Sequence, residues 1–224
     1  VEITIMNASR AHIFFLIALM ALVPGAAVAQ EAPAIDDDYP GSKRPGFYLS
    51  ADIGGAVYDL DDAVSDRFTQ NGIDLSDHAN GFGLALGYSW RNEFALEIEL
   101  YGAGVSTGTT DIDAALVQFD LIFRVPLLKR QRLAPYLEGH LGSTGLGFEG
   151  SGVENRVVYG GHTGAGAGLE VHLARRWALD FGYRFSLISF QEESIELRNG
   201  GNDEIDIDGT GRVHRWVMAT TFSF

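Results

Sequence analysis

The sequence predicts an all-β fold, an eight-stranded antiparallel transmembrane up-and-down β-barrel. Three observations point to it. From Gly46 to Phe224, apolar and polar residues alternate with period two in eight segments, as strands with unlike faces do. The connections between segments alternate short and long, the arrangement of barrels that cross a bilayer. No charged residue falls on the apolar face of any segment, whereas the other face mixes charges with glycine and alanine.

The chain before Gly46 stands outside this pattern. Arg10 precedes an apolar run from Ile13 to Val23, which breaks at Pro24-Gly25 and leads to Ala27-Val28-Ala29. A basic start, a short apolar run and a small-x-small site predict a secretory signal peptide over residues 1–29, with translation starting at Val1 or Met6. The run is too short for a spanning helix, which needs about 20 residues. Residues 30–45 hold Pro33, Pro40, Pro45 and Asp36-Asp37-Asp38 without periodicity, and read as a flexible tail. The barrel takes residues 46–224, and no helix is expected in it.

Strand one is read over Gly46–Val57, with Phe47, Leu49, Ala51, Ile53 and Val57 on the apolar face. Strand two is Gly81–Trp90, carrying Phe82, Leu84, Leu86, Tyr88 and Trp90. Strand three is Phe94–Gly102, with Leu96, Ile98 and Leu100. Strand four is Ala114–Pro126, with Val117, Phe119, Leu121, Phe123 and Val125. Strand five is Leu133–Gly142, where Pro135 lies near the start and its missing donor is tolerated. Strand six, Thr163–His172, is the least marked, with Ala165, Ala167, Leu169 and Val171 outward. Strand seven is Trp177–Ser186, with Leu179, Phe181, Tyr183 and Phe185. Strand eight is Val213–Phe224, with Trp216, Met218, Phe222 and Phe224 on one face and Arg215, Thr221 and Ser223 on the other. It is expected to pair with strand one, because an open sheet edge cannot cross a bilayer.

Short connections are expected after strands two, four and six. Long loops are expected at Tyr58–Asn80, Ala103–Asp113, Ser143–His162 and Leu187–Arg212. With eight strands, both ends of the chain then lie at the short-turn side, in the periplasm.

Alternation alone also fits a soluble barrel with its apolar face inside. The glycines decide against it. Gly81, Gly83 and Gly87, with Gly164, Gly166 and Gly168, lie on the polar face. A water-facing exterior seldom carries such runs, whereas a narrow lumen uses them to make room for long side chains from other strands. The polar face is therefore read as the lumen, holding Asp52, Glu97, Glu99, Asp120, Arg124, Glu138, His140, Glu170, His172, Asp180, Arg184 and Arg215. Glu97 is expected near Arg124 across the short turn, while the partners of Arg184 and Arg215 stay open. Seven carboxylates against three arginines imply that some acids are protonated, bridged by water or served by a cation. Trp90, Phe94, Trp177 and Phe224 fall at the short-turn ends and are read as an interfacial aromatic girdle.

Composition excludes several functions. The formal charge of -14 argues against nucleic acid, and the absence of cysteine removes disulfides and thiolate metal sites. A Ser-His hydrolase is tested by Glu138-His140-Ser143, which fails because Ser143 falls on the face opposite His140. The glycine strings do not open a helix in a βαβ unit, so no dinucleotide site is read. No catalytic, cofactor or metal-binding residue is assigned. The long connections are acidic, with Asp59, Asp61, Asp62, Asp66, Asp74 and Asp77 in the first and Glu192, Glu193, Glu196, Asp203, Glu204, Asp206 and Asp208 in the fourth. They read as solvated loops; the sharper alternative is calcium binding, since Asp206-x-Asp208-Gly209 faintly resembles a calcium loop.

Phe94-Ala95-Leu96-Glu97-Ile98-Glu99, Ala134-Pro135-Tyr136-Leu137, Leu179-Asp180-Phe181-Gly182-Tyr183-Arg184-Phe185 and Phe222-Ser223-Phe224 together carry a resemblance. They resemble the small outer-membrane β-barrel family that includes the OmpA transmembrane domain, the opacity-type proteins and porin-family relatives. The resemblance covers Gly46 to Phe224 and implies that the last strand, with Trp216, Phe222 and Phe224, is a signal to the barrel-assembly machinery. No wall-binding domain is expected after the barrel. The expected protein is a monomeric, non-enzymatic barrel of the Gram-negative outer membrane, in contact with lipid and lipopolysaccharide. It would support the envelope and display loops for adhesion or host contact. The alternatives are a narrow porin-family channel for small solutes and, less well supported, a lipid A-modifying enzyme.

Overall fold

A computed structural model describes residues 45–70, 73–90, 93–107, 112–128, 132–150, 155–196 and 202–224. The predicted signal peptide, and all of the predicted tail except Pro45, lie outside the described residues. The elements are β1 (Gly46–Leu60), α1 (Asp62–Thr69), β2 (Leu75–Trp90), β3 (Phe94–Thr107), β4 (Ile112–Pro126), β5 (Leu133–Gly150), β6 (Asn155–His172), β7 (Trp177–Glu196) and β8 (Asn202–Ser223). Each strand pairs antiparallel with the next, and β8 returns to β1 to close the barrel. The closing register runs from Tyr48 opposite Ser223 to Leu60 opposite Gly211.

The facing read from the sequence holds where it was drawn. Phe47, Ile53, Leu86, Ile98, Leu100, Phe119, Leu137, Leu141, Phe181 and Trp216 all present exposed apolar side chains outward. Their chain neighbours Asp52, Glu97, Glu99, Asp120, Glu138, Asp180 and Arg215 are buried.

The long loops do not hold. Most of Ala103–Asp113, Ser143–His162 and Leu187–Arg212 is strand, Tyr58–Asn80 holds the ends of β1 and β2 with a helix between them, and β7 and β8 reach 20 and 22 residues. A membrane-crossing strand needs only about 9–11. The pattern inverts in these extensions. Tyr101, Val105, Leu116, Leu146, Phe148, Ile188 and Phe190 now point inward. Asp59, Asn80, Gly104, Ser189, Asp206 and Asp208 point outward and are exposed. One end of the barrel is thus apolar outside and polar inside, and the other end is the reverse.

The absence of a helix is also corrected. Asp61 caps α1, its carboxylate accepting from the Val64 amide at 3.1 Å. An eight-residue helix has little stability of its own. It persists because Val64 and Phe68, one turn apart, are both buried in the inverted half of the barrel. Phe68 packs on Phe148 with ring centroids 5.3 Å apart. They join Tyr58, Ile73, Tyr101, Leu116, Leu146 and Phe190 in one apolar cluster that fills this end. A Cβ on Gly209 would collide with Val64, so Gly209 lets the helix settle against β8. Asp206-x-Asp208-Gly209 lies within β8, with Asp206 opposite Glu192, Gly209 opposite Phe190 and a register shift between them.

Candidate functional site

The functional candidate is the polar half of the lumen. Arg124 on β4 is its hub. It donates from Nη1 to Asp180 Oδ2 at 2.6 Å and from Nη2 to Glu138 Oε2 at 3.2 Å, and its Nε lies 3.4 Å from Glu97 Oε1. Its guanidinium stacks on Tyr136, 4.1 Å from the ring centroid, and the Tyr136 hydroxyl donates to Asp180 Oδ1 at 2.6 Å. Glu97 is therefore beside Arg124 as expected.

The sequence left the partners of the other two arginines open, and the structure supplies them. Arg184 grips both oxygens of Glu99 through Nη1, at 2.8 and 2.7 Å, and donates from Nε to Glu138. Arg215 donates to Glu99 and stacks over Tyr101 at 4.2 Å. His172 lies 3.2 Å from Glu170. Asp52 is buried, and its Oδ1 has no hydrogen-bond partner among the described residues.

Glycine makes these reaches possible. In register, Gly166 lies between Glu138 and Arg184, Gly142 between Asp120 and His162, and Gly164 between His140 and Ser186. In each case a side chain from one strand passes over the bare backbone of its neighbour to reach the strand beyond. A Cβ at Gly166 would lie 2.7 Å from Glu138 Oε1, and one at Gly142 would lie 3.0 Å from the His162 ring.

Between the arginine network and the apolar plug lies a histidine layer. His162 contacts Asp120 Oδ1 through Nε2 at 2.6 Å and the Thr144 hydroxyl through Nδ1 at 2.7 Å. Gln118 donates to the same hydroxyl at 3.3 Å. His140 contacts the Ser186 hydroxyl through Nε2 at 2.8 Å, and its Nδ1 has no hydrogen-bond partner among the described residues. Asp120, His140 and His162 each bring one ligand atom within 4.8 Å of the other two.

The sequence pattern places Asp120 and His140 inward but leaves out His162, because the alternation of strand six is read from Thr163. Carrying the alternation back by one step would have set His162 on the lumenal face with Gly164. Ser143 is exposed on the outer face, as expected, so Glu138-His140-Ser143 does not assemble. The serine that meets His140 is Ser186, and among the described residues no carboxylate orients the free nitrogen of that histidine. The pair is also sealed in, with both side chains buried.

At the short-connection end, aromatic rings form a band. Trp90 stacks on Phe94 at 4.5 Å, Tyr88 meets Trp90 at 4.6 Å and Phe47 at 5.0 Å, and Trp177 meets Phe222 at 5.1 Å. Phe224 follows β8 and is exposed.

The profile of a family described as "Outer membrane protein beta-barrel domain" matches residues 15–211. No curated protein matches the chain significantly. Among solved structures, the chain is similar to neisserial surface protein A at 16% identity and a TM-score of 0.58, over 82% of this chain and 99% of that one. It also matches Ail, the attachment invasion locus protein of Yersinia pestis, at 14% identity and a TM-score of 0.48, over 82% and 99%. The outer membrane protein OprG from Pseudomonas aeruginosa matches at 14% identity and 0.49, over 84% and 99%. At 16% identity, the likeness to neisserial surface protein A is one of fold.

Proposed function

The chain belongs to the outer membrane protein β-barrel domain family, and on that premise we propose that it is a closed, non-enzymatic barrel that supports the envelope and displays its outer rim for adhesion or host contact. The short-connection end, with its aromatic band, would face the periplasm, and the end holding α1 would project outside. The last strand, with Trp216, Phe222 and Phe224, would be read by the barrel-assembly machinery, and the folded protein would work as a monomer among lipid and lipopolysaccharide.

The observation that carries this reading is the filled lumen. The charged half is cross-linked by Arg124, Arg184 and Arg215, and the other half is packed by Val64, Phe68, Phe148 and Tyr101. An eight-stranded barrel has an interior just wide enough for such filling. The buried Ser186–His140 pair lacks the orienting acid and the access that hydrolysis of a membrane lipid needs. The projecting rim is strongly acidic, with Asp59, Asp62, Asp66, Asp74, Asp77, Glu192, Glu204, Asp206 and Asp208 all exposed. That charge favours contact with cationic surfaces and disfavours bare anionic ones.

Planar-bilayer recording tests the proposal. The folded protein should give no steady current of porin size, and lipid A mass should be unchanged when it is overproduced. A stable porin-sized current would overturn the closed-barrel reading.

A further inference from the structure

We propose that Asp120, His140 and His162 form a lumenal binding site for one divalent transition-metal ion of the zinc class. This goes beyond the closed-barrel reading and does not depend on it.

Two imidazoles and one carboxylate are a ligand set that zinc-class ions accept, with a further position left for water. The three come from β4, β5 and β6, and their ligand atoms already lie within 4.8 Å of one another. Around a tetrahedral zinc, with bonds of about 2.0–2.2 Å, ligand atoms sit roughly 3.4 Å apart. The cluster therefore needs only side-chain adjustment to close on an ion. Gly142 keeps the space between Asp120 and His162 free of any side chain.

The hydrogen bonds around the cluster suit a metal better than they suit an empty polar site. If His140 donates its Nε2 proton to Ser186, it leaves a bare lone pair on Nδ1, and that nitrogen is buried with no partner among the described residues. An orphaned polar atom in so closed a place is costly. A metal on Nδ1 removes the cost. His162 is supported in the same way. Its Nδ1 can donate to Thr144, which frees Nε2 for the ion beside Asp120. Such outer partners fix the tautomer and the ring orientation of metal-bound histidines.

Charge gives a separate reason. The polar lumen buries seven carboxylates, Asp52 and Asp120 among them, with three arginines. Asp120 touches none of these arginines; its hydrogen-bond partner is His162. A divalent cation there offsets part of the surplus that the arginines leave.

The test uses the whole folded barrel in nonionic detergent, stripped with chelator and titrated with Zn²⁺ in millimolar Mg²⁺ and Ca²⁺ to occupy the acidic rim. One equivalent of zinc should be retained after dialysis, and the unfolding temperature should rise. Co²⁺ in its place should give the visible absorption of a four-coordinate nitrogen–oxygen site. His140→Gln and His162→Gln should each weaken binding more than about tenfold, since even outer-shell losses cost 10–100-fold. Ser143→Ala, on the outer face, should change nothing. Failure of the unaltered protein to retain one equivalent would overturn the proposal. So would retention of that equivalent in a folded His140→Gln/His162→Gln protein, or a Co²⁺ spectrum of the weak octahedral type. If the variants do not fold, the stoichiometry and the Co²⁺ spectrum of the unaltered protein still decide.

Discussion

Glu138 and Arg184 meet across Gly166, two strands apart, because the strand between them carries no side chain at that level. A methyl group there would press on Glu138 Oε1 and on the Tyr183 carbonyl oxygen, each at 2.7 Å. Gly166→Ala should therefore destabilise the barrel by about 1–3 kcal/mol, as overpacking does. Gly102 faces outward with nothing within 4 Å of an added Cβ, so Gly102→Ala should be neutral or stabilising by about 0.4–1 kcal/mol. Urea unfolding in lipid or detergent measures both. Equal losses at the two sites would contradict this account of the lumenal glycines.

Arg184 holds Glu99 and Glu138 at once. Removing one partner of a buried ion pair costs about 3–5 kcal/mol, chiefly by leaving a charge without compensation. Arg184→Leu should fall at the lower end, near 3 kcal/mol, because Arg215 still reaches Glu99 and Arg124 still reaches Glu138. Adding Glu99→Gln should recover part of the loss. A double variant as unstable as the sum of the two single changes would show that the pair is not coupled.

Three tryptophans report the bilayer position. Trp90 and Trp177 lie at the short-connection end of their strands, where such side chains favour the headgroup level. Trp216 is exposed on the apolar outer face, opposite Tyr183 and Gly55, well inside β8. In proteins keeping one tryptophan each, quenchers at the bilayer centre should act most on Trp216. Quenchers near the headgroups should act most on Trp90 and Trp177. The reverse order would require a different membrane band.

The sequence was legible where one physical rule acts along the strand. From Phe94 to Leu100, apolar residues alternate with Ala95, Glu97 and Glu99, and the structure sets them outward and inward accordingly. Beyond Leu100 the rule changes sign. Tyr101, Ala103 and Val105 turn inward, while Gly102, Gly104 and Ser106 face out. Outside the bilayer the exterior meets water, so an apolar interior becomes favourable again. Read with a single polarity, this inversion looks like the end of the strand. Helix α1 was hidden for a related reason, since only Val64 and Phe68 among its eight residues mark a buried face. The charged lumen was legible by facing, but its pairings were not. Arg184 and Glu99 are 85 residues apart, and only barrel closure and register bring them together.

Asp61 ties α1 to β8, and the tie should respond to acid. Its carboxylate accepts from the Thr210 amide at 2.6 Å, the Thr210 hydroxyl at 3.0 Å and the Val64 amide at 3.1 Å. Burial pushes its pKa up, but the hydrogen bonds from Thr210, Val64 and Ala63 outweigh this and hold it below the ordinary value of 3.8. A group whose pKa is lowered on folding stabilises the fold above its unfolded pKa and loses that contribution as the pH falls through the folded one. The docked helix should thus be indifferent to pH from about 5 upward and loosen only below about 4. Asp61→Ala should weaken it at neutral pH by about 0.5–2 kcal/mol, the usual cost of losing a helix cap. Hydrogen exchange of the amides of residues 62–69, corrected for the intrinsic rate at each pH, reads this directly. The gap between the natural protein and Asp61→Ala should be full at pH 7 and shrink at pH 3. A gap of the same size at both would mean that the ionised carboxylate is not what holds the helix in the mouth of the barrel.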